Sequence, residues 1–221
     1  MSLDVDLDTL HRTWWVRTFR LAAAALGLAA LITLPVNAVD KNGSFDFGNY
    51  FSYFTVLSNV LAVAVLLVGA LAVPSASWFT WLRGLATTCM VVTAVVYAML
   101  LRNIDVQLNT QWINDVMHRY LPLIMVIDWI VLSARNLPAR SWISWLTAPL
   151  VYGVYSLIRG PIVDWYPYPF IDPRSQGYGS MVVSLIIVFA GMIAMSAGVA
   201  WLGTRTLGRP KPTDPVETPT A

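Results

Sequence analysis

The chain of 221 residues is 57% hydrophobic and 12% charged, with a net charge of +2 and a mean hydropathy of +0.62. These values exclude an ordinary soluble domain and point to an all-α integral membrane protein, in which each crossing needs roughly 20 mostly apolar residues. Positive residues scattered along the loops exclude a nucleic-acid surface, and the single cysteine, Cys89, excludes an internal disulfide or a cysteine-built zinc site.

Six apolar stretches follow in chain order, at 14–38, 50–73, 79–101, 114–133, 141–158 and 178–203, and none shows strand alternation. Turn-forming pieces such as DKNGSFDFGN, VPSAS, ARNLPAR and the longer RGPIVDWYPYPFIDPRSQGY separate them. The expectation is a bundle of six transmembrane helices over 13–203, with an N-terminal tail at 1–12 and a proline-rich, disordered tail at 204–221. Basic residues set the orientation. Arg12, Arg17, Arg20, Arg83, Arg135, Arg140, Arg205, Arg209 and Lys211 fall on one side, against Lys41, Arg102, Arg119, Arg159 and Arg174 on the other. This places both termini in the cytoplasm and the protein in the cell membrane. The first stretch also has the shape of a secretory signal peptide, with Ala38 as a conceivable cleavage site. The chain ahead of its apolar core is long, and Trp14 and Trp15 suit an interfacial anchor, so retention is the reading.

The second stretch carries Ser52, Thr55 and Asn59 at i, i+3, i+7, one polar stripe on an otherwise apolar cylinder. The fourth begins with His118, roughly 6 Å below its head at 1.5 Å per residue, a depth that matches Thr55. Pro122 deprives the His118 carbonyl of its helical donor and favours a kink there, beside which a small wet cavity is expected. A hydroxyl next to a neutral imidazole can be deprotonated as it attacks a carbonyl. Thr55 and His118 are the pair that depth brings together. Tyr152, Tyr155, Ser156 and Arg159 form a stripe on the fifth stretch, and Arg102 closes the third, so four helices are expected to offer polar groups to one outer chamber. Asn59, Arg102, Tyr152, Ser156 and Arg159 are the candidates for holding substrate or an oxyanion.

Each of these has a plainer reading: Thr55 bonding the carbonyl one turn back, Asn59 joining helices, His118 bonding a neighbour. Asp128 lies roughly 15 Å deeper than His118, and a structural ion pair with Arg83, or with Arg20, is its expected role. His11 falls in the N-terminal tail. The aromatic loop WYPYPF suits either a lid over the site or a belt at the headgroup level.

The combination FSYFTVLSN, MHRYLP followed by DW, PLVYGVYSLIRG and WYPYPF resembles a bacterial family of six-span integral membrane proteins. That family is more distantly similar to the animal androgen-induced and androgen-dependent membrane proteins. The resemblance implies intramembrane hydrolysis of fatty acid esters of hydroxy fatty acids, with the nucleophile at Thr55 and the base at His118, and no metal or organic cofactor. The implied partner is a membrane lipid or fatty acid ester substrate. A small-molecule transporter or channel built on Asp128 and Arg83, or a non-catalytic lipid-binding protein, are the rival readings.

Overall fold

The computed structural model describes residues 11–72, 74, 76–102, 110–132, 137–138 and 140–204. The two tails lie outside the described residues except for His11, Arg12 and Thr204, and so do Arg135, Arg205, Arg209 and Lys211 of the charge count. Among the described residues every regular element is a helix. These are α1 (Trp14–Asn42), α2 (Phe47–Tyr50), α3 (Phe54–Leu71), α4 (Ser77–Val96), α5 (Gln111–Asp115), α6 (Leu121–Val131), α7 (Ser141–Trp145), α8 (Thr147–Val163) and α9 (Pro173–Thr204). Wider π turns continue α4 through Tyr97–Leu101 and join α5 to α6 through Val116–Tyr120, and a 3-10 turn lies at Pro169–Ile171.

Among the described residues five helical stretches, Trp14–Lys41, Phe54–Leu71, Ser77–Leu101, Ser141–Val163 and Pro173–Thr204, are long and apolar enough to cross a membrane. Their outward faces carry large apolar side chains such as Leu28, Ile32, Leu150, Val154, Ile186 and Ile187. Such a surface belongs in lipid rather than water, and the chain is a membrane protein. The stretch expected at 114–133 is helical from Gln111 to Val131, about 30 Å of rod, with the π turn in its first half. The irregularity expected at Pro122 is this π turn, which ends two residues before the proline and widens the helix by one residue rather than breaking it.

Local sequence sets where the helices stop. Gly43 adopts φ 71° and returns its N–H to the Val39 carbonyl, a left-handed cap that glycine takes without strain. Gly177, at φ 78° and ψ 157°, breaks the helical path and kinks the chain just inside α9, a backbone conformation that favours glycine. α3 is the central helix: it packs between α1 and α4, and it buries Val56, Ala62, Val63, Val65 and Leu66. α1 contributes Ala23, Ala24, Ala30 and Leu31 to that core, and the α5–α6 rod contributes Ile113, Met117, Leu121 and Met125. α4 packs in turn on α6 and α9. A smaller cluster joins Trp129, Trp145 and Val199. There the indole N–H of Trp129 reaches the Val199 carbonyl at 2.7 Å and that of Trp145 reaches Trp81 at 3.0 Å, so neither polar edge is left unpaired in the core. α8 stands at the periphery.

Candidate functional site

Thr55 sits in the first turn of α3, whose N-cap residue Tyr53 makes no side-chain bond to that turn. The first N–H groups of a helix lack intrahelical acceptors, so this turn is a positive, donor-rich end buried inside the bundle. The backbone of Thr55 is held tightly. Its carbonyl accepts from Ser58 Oγ at 3.0 Å and from Asn59 Nδ2 at 2.7 Å, and its N–H donates to the Tyr168 hydroxyl at 3.3 Å.

His118 lies inside the π turn, 4% exposed. Its Nδ1 is 3.1 Å from the Asn114 carbonyl, which can only accept, so Nδ1 carries the proton and Nε2 of the neutral ring is left with a lone pair. That lone pair faces Thr55 Oγ1 at 3.3 Å. Tyr97, at the start of the other π turn, stacks on the imidazole with ring centroids 4.0 Å apart, and its hydroxyl accepts from Asn114 Nδ2 at 2.6 Å. Thus the two π turns meet at the histidine and fix both its plane and its tautomer. Asn114 takes the orienting place that an acidic residue would otherwise fill; Asp115 instead pairs with Arg119 at 2.7 Å.

Tyr168 completes the arrangement. It belongs to the WYPYPF loop, which folds inward so that the ring is 6% exposed and the hydroxyl stands 3.4 Å from Thr55 Oγ1. Burial raises the phenol's pKa above its ordinary value, which keeps the O–H available as a donor. The loop is held at both ends by Arg174, which bonds Asp172 through two nitrogens, pairs with Asp164, and covers the Tyr166 ring at 5.1 Å. Those bonds hold the Asp172 carboxyl below the usual carboxylate range. Tyr166 itself lies against the bare backbone of Gly160, where a Cβ would fall 2.0 Å from the ring.

A chamber of about 560 Å³ opens beside the dyad, lined by Thr55, His118 and Tyr168 and also by Asn37, Lys41 and Asp46. Much of the polar wall comes from the end of α1 and from the segment that follows it, with Ser44, Asp46 and Asn49, and the expectation that the α8 stripe lines it is corrected. α8 is tied to the α2–α3 junction instead: Tyr152 donates to the Ser52 carbonyl at 2.9 Å, and Arg159 donates to Asn49 Oδ1 at 2.8 Å while covering Trp165. Tyr152 lines a second, apolar groove, and Arg159 stands behind two residues of the chamber wall. Ser156 is buried but lines neither space, and Arg102 is exposed beyond the π turn and lines neither. The expectation of an oxyanion donor at Asn59 also fails, because its amide nitrogen serves the carbonyls of Thr55 and Met117, at 2.7 and 3.2 Å. It clamps the two strands of backbone that carry the dyad.

Asp128 is held by both arginines that the sequence offers. Arg20 reaches Oδ1 at 2.6 Å and Arg83 reaches Oδ2 at 2.9 Å. Among the described residues no three His, Cys, Asp or Glu side chains cluster closely enough to hold a metal ion.

Family models, curated protein sequences and solved structures give no match to this chain. The chemistry of the site accordingly rests on its own geometry. That geometry offers a hydroxyl facing an unprotonated ring nitrogen, a phenol beside that hydroxyl, and the amino end of a helix that carries it. Sequence reasoning missed Tyr168 and the α1 face. The spacing of Asn37 and Lys41, one helical turn apart at the end of an apolar stretch, was the signal for the second.

Proposed function

We propose that this protein is a hydrolase of a lipid ester within the membrane, six helices crossing the bilayer with both termini cytoplasmic, in which Thr55 is the nucleophile and His118 the general base. The observation that carries this reading is the contact of Thr55 Oγ1 with His118 Nε2, on a ring whose other nitrogen is held by a backbone carbonyl, beside a cavity large enough for a lipid fragment.

In the first half of the reaction His118 Nε2 takes the hydroxyl proton as Oγ1 attacks the ester carbonyl carbon. Negative charge gathers on the carbonyl oxygen, where the Tyr168 hydroxyl donates to it and the positive amino end of α3 adds its field. The carbon–oxygen bond to the alcohol then breaks, and His118 returns its proton to the departing alkoxide. Water entering from the chamber gives a proton to His118 and attacks the acyl-threonine; collapse releases a carboxylic acid and restores the threonine hydroxyl. The resemblance of FSYFTVLSN and MHRYLP to the hydrolases of fatty acid esters of hydroxy fatty acids supports that substrate class. No metal or organic cofactor enters the scheme.

The test is a fluorophosphonate probe applied to the purified protein in detergent micelles, with the labelled peptide mapped by mass spectrometry. Modification of Thr55, lost in His118→Ala, is the expected result. An unlabelled Thr55 together with undiminished lipid-ester turnover in Thr55→Ala removes the proposal.

A further inference from the structure

A second cavity of about 490 Å³ lies between α8 and α9 and is lined by the same threonine, Thr55. Its walls are Leu150, Val154 and Leu157 from α8 and Val182, Ile186 and Phe189 from α9, with neighbours of the same character. Among the described residues that line it, only Thr55, Thr93, Tyr152 and Tyr168 carry a side-chain nitrogen or oxygen, each a single hydroxyl. Leu150, Val154, Val182 and Ile186 are between 48% and 63% exposed, so the groove is open along its length on the side that faces lipid. On α9 the lining runs from Val182 to Ile193, about 17 Å at 1.5 Å per residue, close to the roughly 15 Å half-thickness of a bilayer's hydrocarbon core.

Thr55, Leu101 and Tyr168 line both this groove and the chamber. Thr55 therefore sits between an apolar arm open to lipid and an arm whose wall includes Asn37, Lys41 and Asp46. An ester has the same division: a carbonyl with hydrocarbon on one side and an alcohol residue on the other.

Resting on the hydrolase reading, we infer that the α8–α9 groove binds the acyl chain of the substrate, taken sideways from the bilayer with its carbonyl end at Thr55, while the more polar alcohol part occupies the chamber. The groove then acts as a ruler for acyl length, and the chamber selects the alcohol.

Gly153 gives the means to test this, because it lines the groove and a Cβ added there meets nothing within 4 Å. Gly153→Trp plugs the groove without a clash at its root, and Gly153→Leu is a smaller plug. Turnover of a palmitoyl ester and of a butyryl ester of the same alcohol is measured for the full-length protein in detergent. The expected result is a loss of at least tenfold on the palmitoyl ester in Gly153→Trp and a lesser loss in Gly153→Leu, with butyryl turnover, which also reports folding, within twofold of the parent. Equal effects on both esters overturn the inference and leave the hydrolase reading standing.

A diazirine-bearing palmitate crosslinked to the same proteins reads occupancy without catalysis. Crosslinks mapped to α8 and α9 in the parent and lost in Gly153→Trp support the groove as the acyl site even where no ester is turned over, an outcome that removes the hydrolase reading alone. Crosslinks elsewhere, or unaffected by the plug, overturn the inference.

Discussion

Two polar clusters are buried in this bundle, near opposite ends of α1, and they differ in what they leave unused. Around Asp128 the donors are engaged. Arg20 holds the carboxylate and donates to the Gly69 carbonyl at 3.0 Å, and Arg83 holds it while also capping the Asp128 and Leu132 carbonyls at the end of α6. The residues opposite give it room: a Cβ on Gly69 would fall 2.9 Å from the Arg20 guanidinium. Around His118 the ring nitrogen, the threonine hydroxyl and the phenol are near one another, and all three residues border open space. A closed cluster of this sort fixes helices in place; an open one can meet a ligand. Neither Asp128 nor Arg83 lines either of the two cavities described above.

Substitutions sharpen this division, beginning with the largest effect. Thr55→Ala and His118→Ala are each expected to lower lipid-ester turnover by about 10³-fold or more, the range of nucleophile and base removal, with the detergent-solubilised protein eluting and melting as the parent does. Asp128→Ala is expected to do the opposite. Leaving two buried guanidinium groups without their carboxylate costs about 3–5 kcal/mol, seen as a lower melting temperature in micelles, while turnover per folded molecule is retained. Equal loss of activity in a stably folded Asp128→Ala would break the comparison.

Tyr168→Phe removes one hydroxyl from the open cluster and is expected to lower kcat about 10²-fold with little change in KM, measured by steady-state turnover of a soluble ester. Arg174→Ala has the smallest predicted effect, a few-fold rise in KM as the Asp164–Asp172 loop loosens, because the ion pairs it breaks are exposed. The pH dependence of that staple has a definite sign. The Asp172 pKa is depressed by the Arg174 hydrogen bonds, so the contribution is fully present at and above neutral pH and is lost only as pH falls through the lowered value. Limited proteolysis at the loop across acid pH reads this directly.

Depth was legible in the sequence; direction around the helix axis was less so. Thr55 and His118 were paired by counting residues from the membrane face, and the two meet at 3.3 Å. Asp128, Arg83 and Arg20 were grouped by the cost of burying charge, and all three converge. The α8 stripe was correctly polar but pointed to the α2–α3 junction, since periodicity gives one face of a helix without saying which neighbour it meets. Asn59 is polar and buried as expected, yet the use of its amide nitrogen on two backbone carbonyls depends on the π turn that presents Met117. Tyr168 was hidden because an aromatic in a proline-rich loop satisfies a membrane-interface rule equally well. Its inward position comes from Arg174 and Gly160, contacts made between separate segments.

The paired π turns carry a consequence for how this site could be lost. Each holds one residue more than a regular turn would, and a regular helix rotates by about 100° per residue. Deleting a single residue from Val116–Tyr120 would relax that insertion into ordinary helix, tighten the rod, and swing the imidazole away from Thr55 while Asp128 kept its arginines. A shorter chain of the same architecture could thus be sturdier and inert.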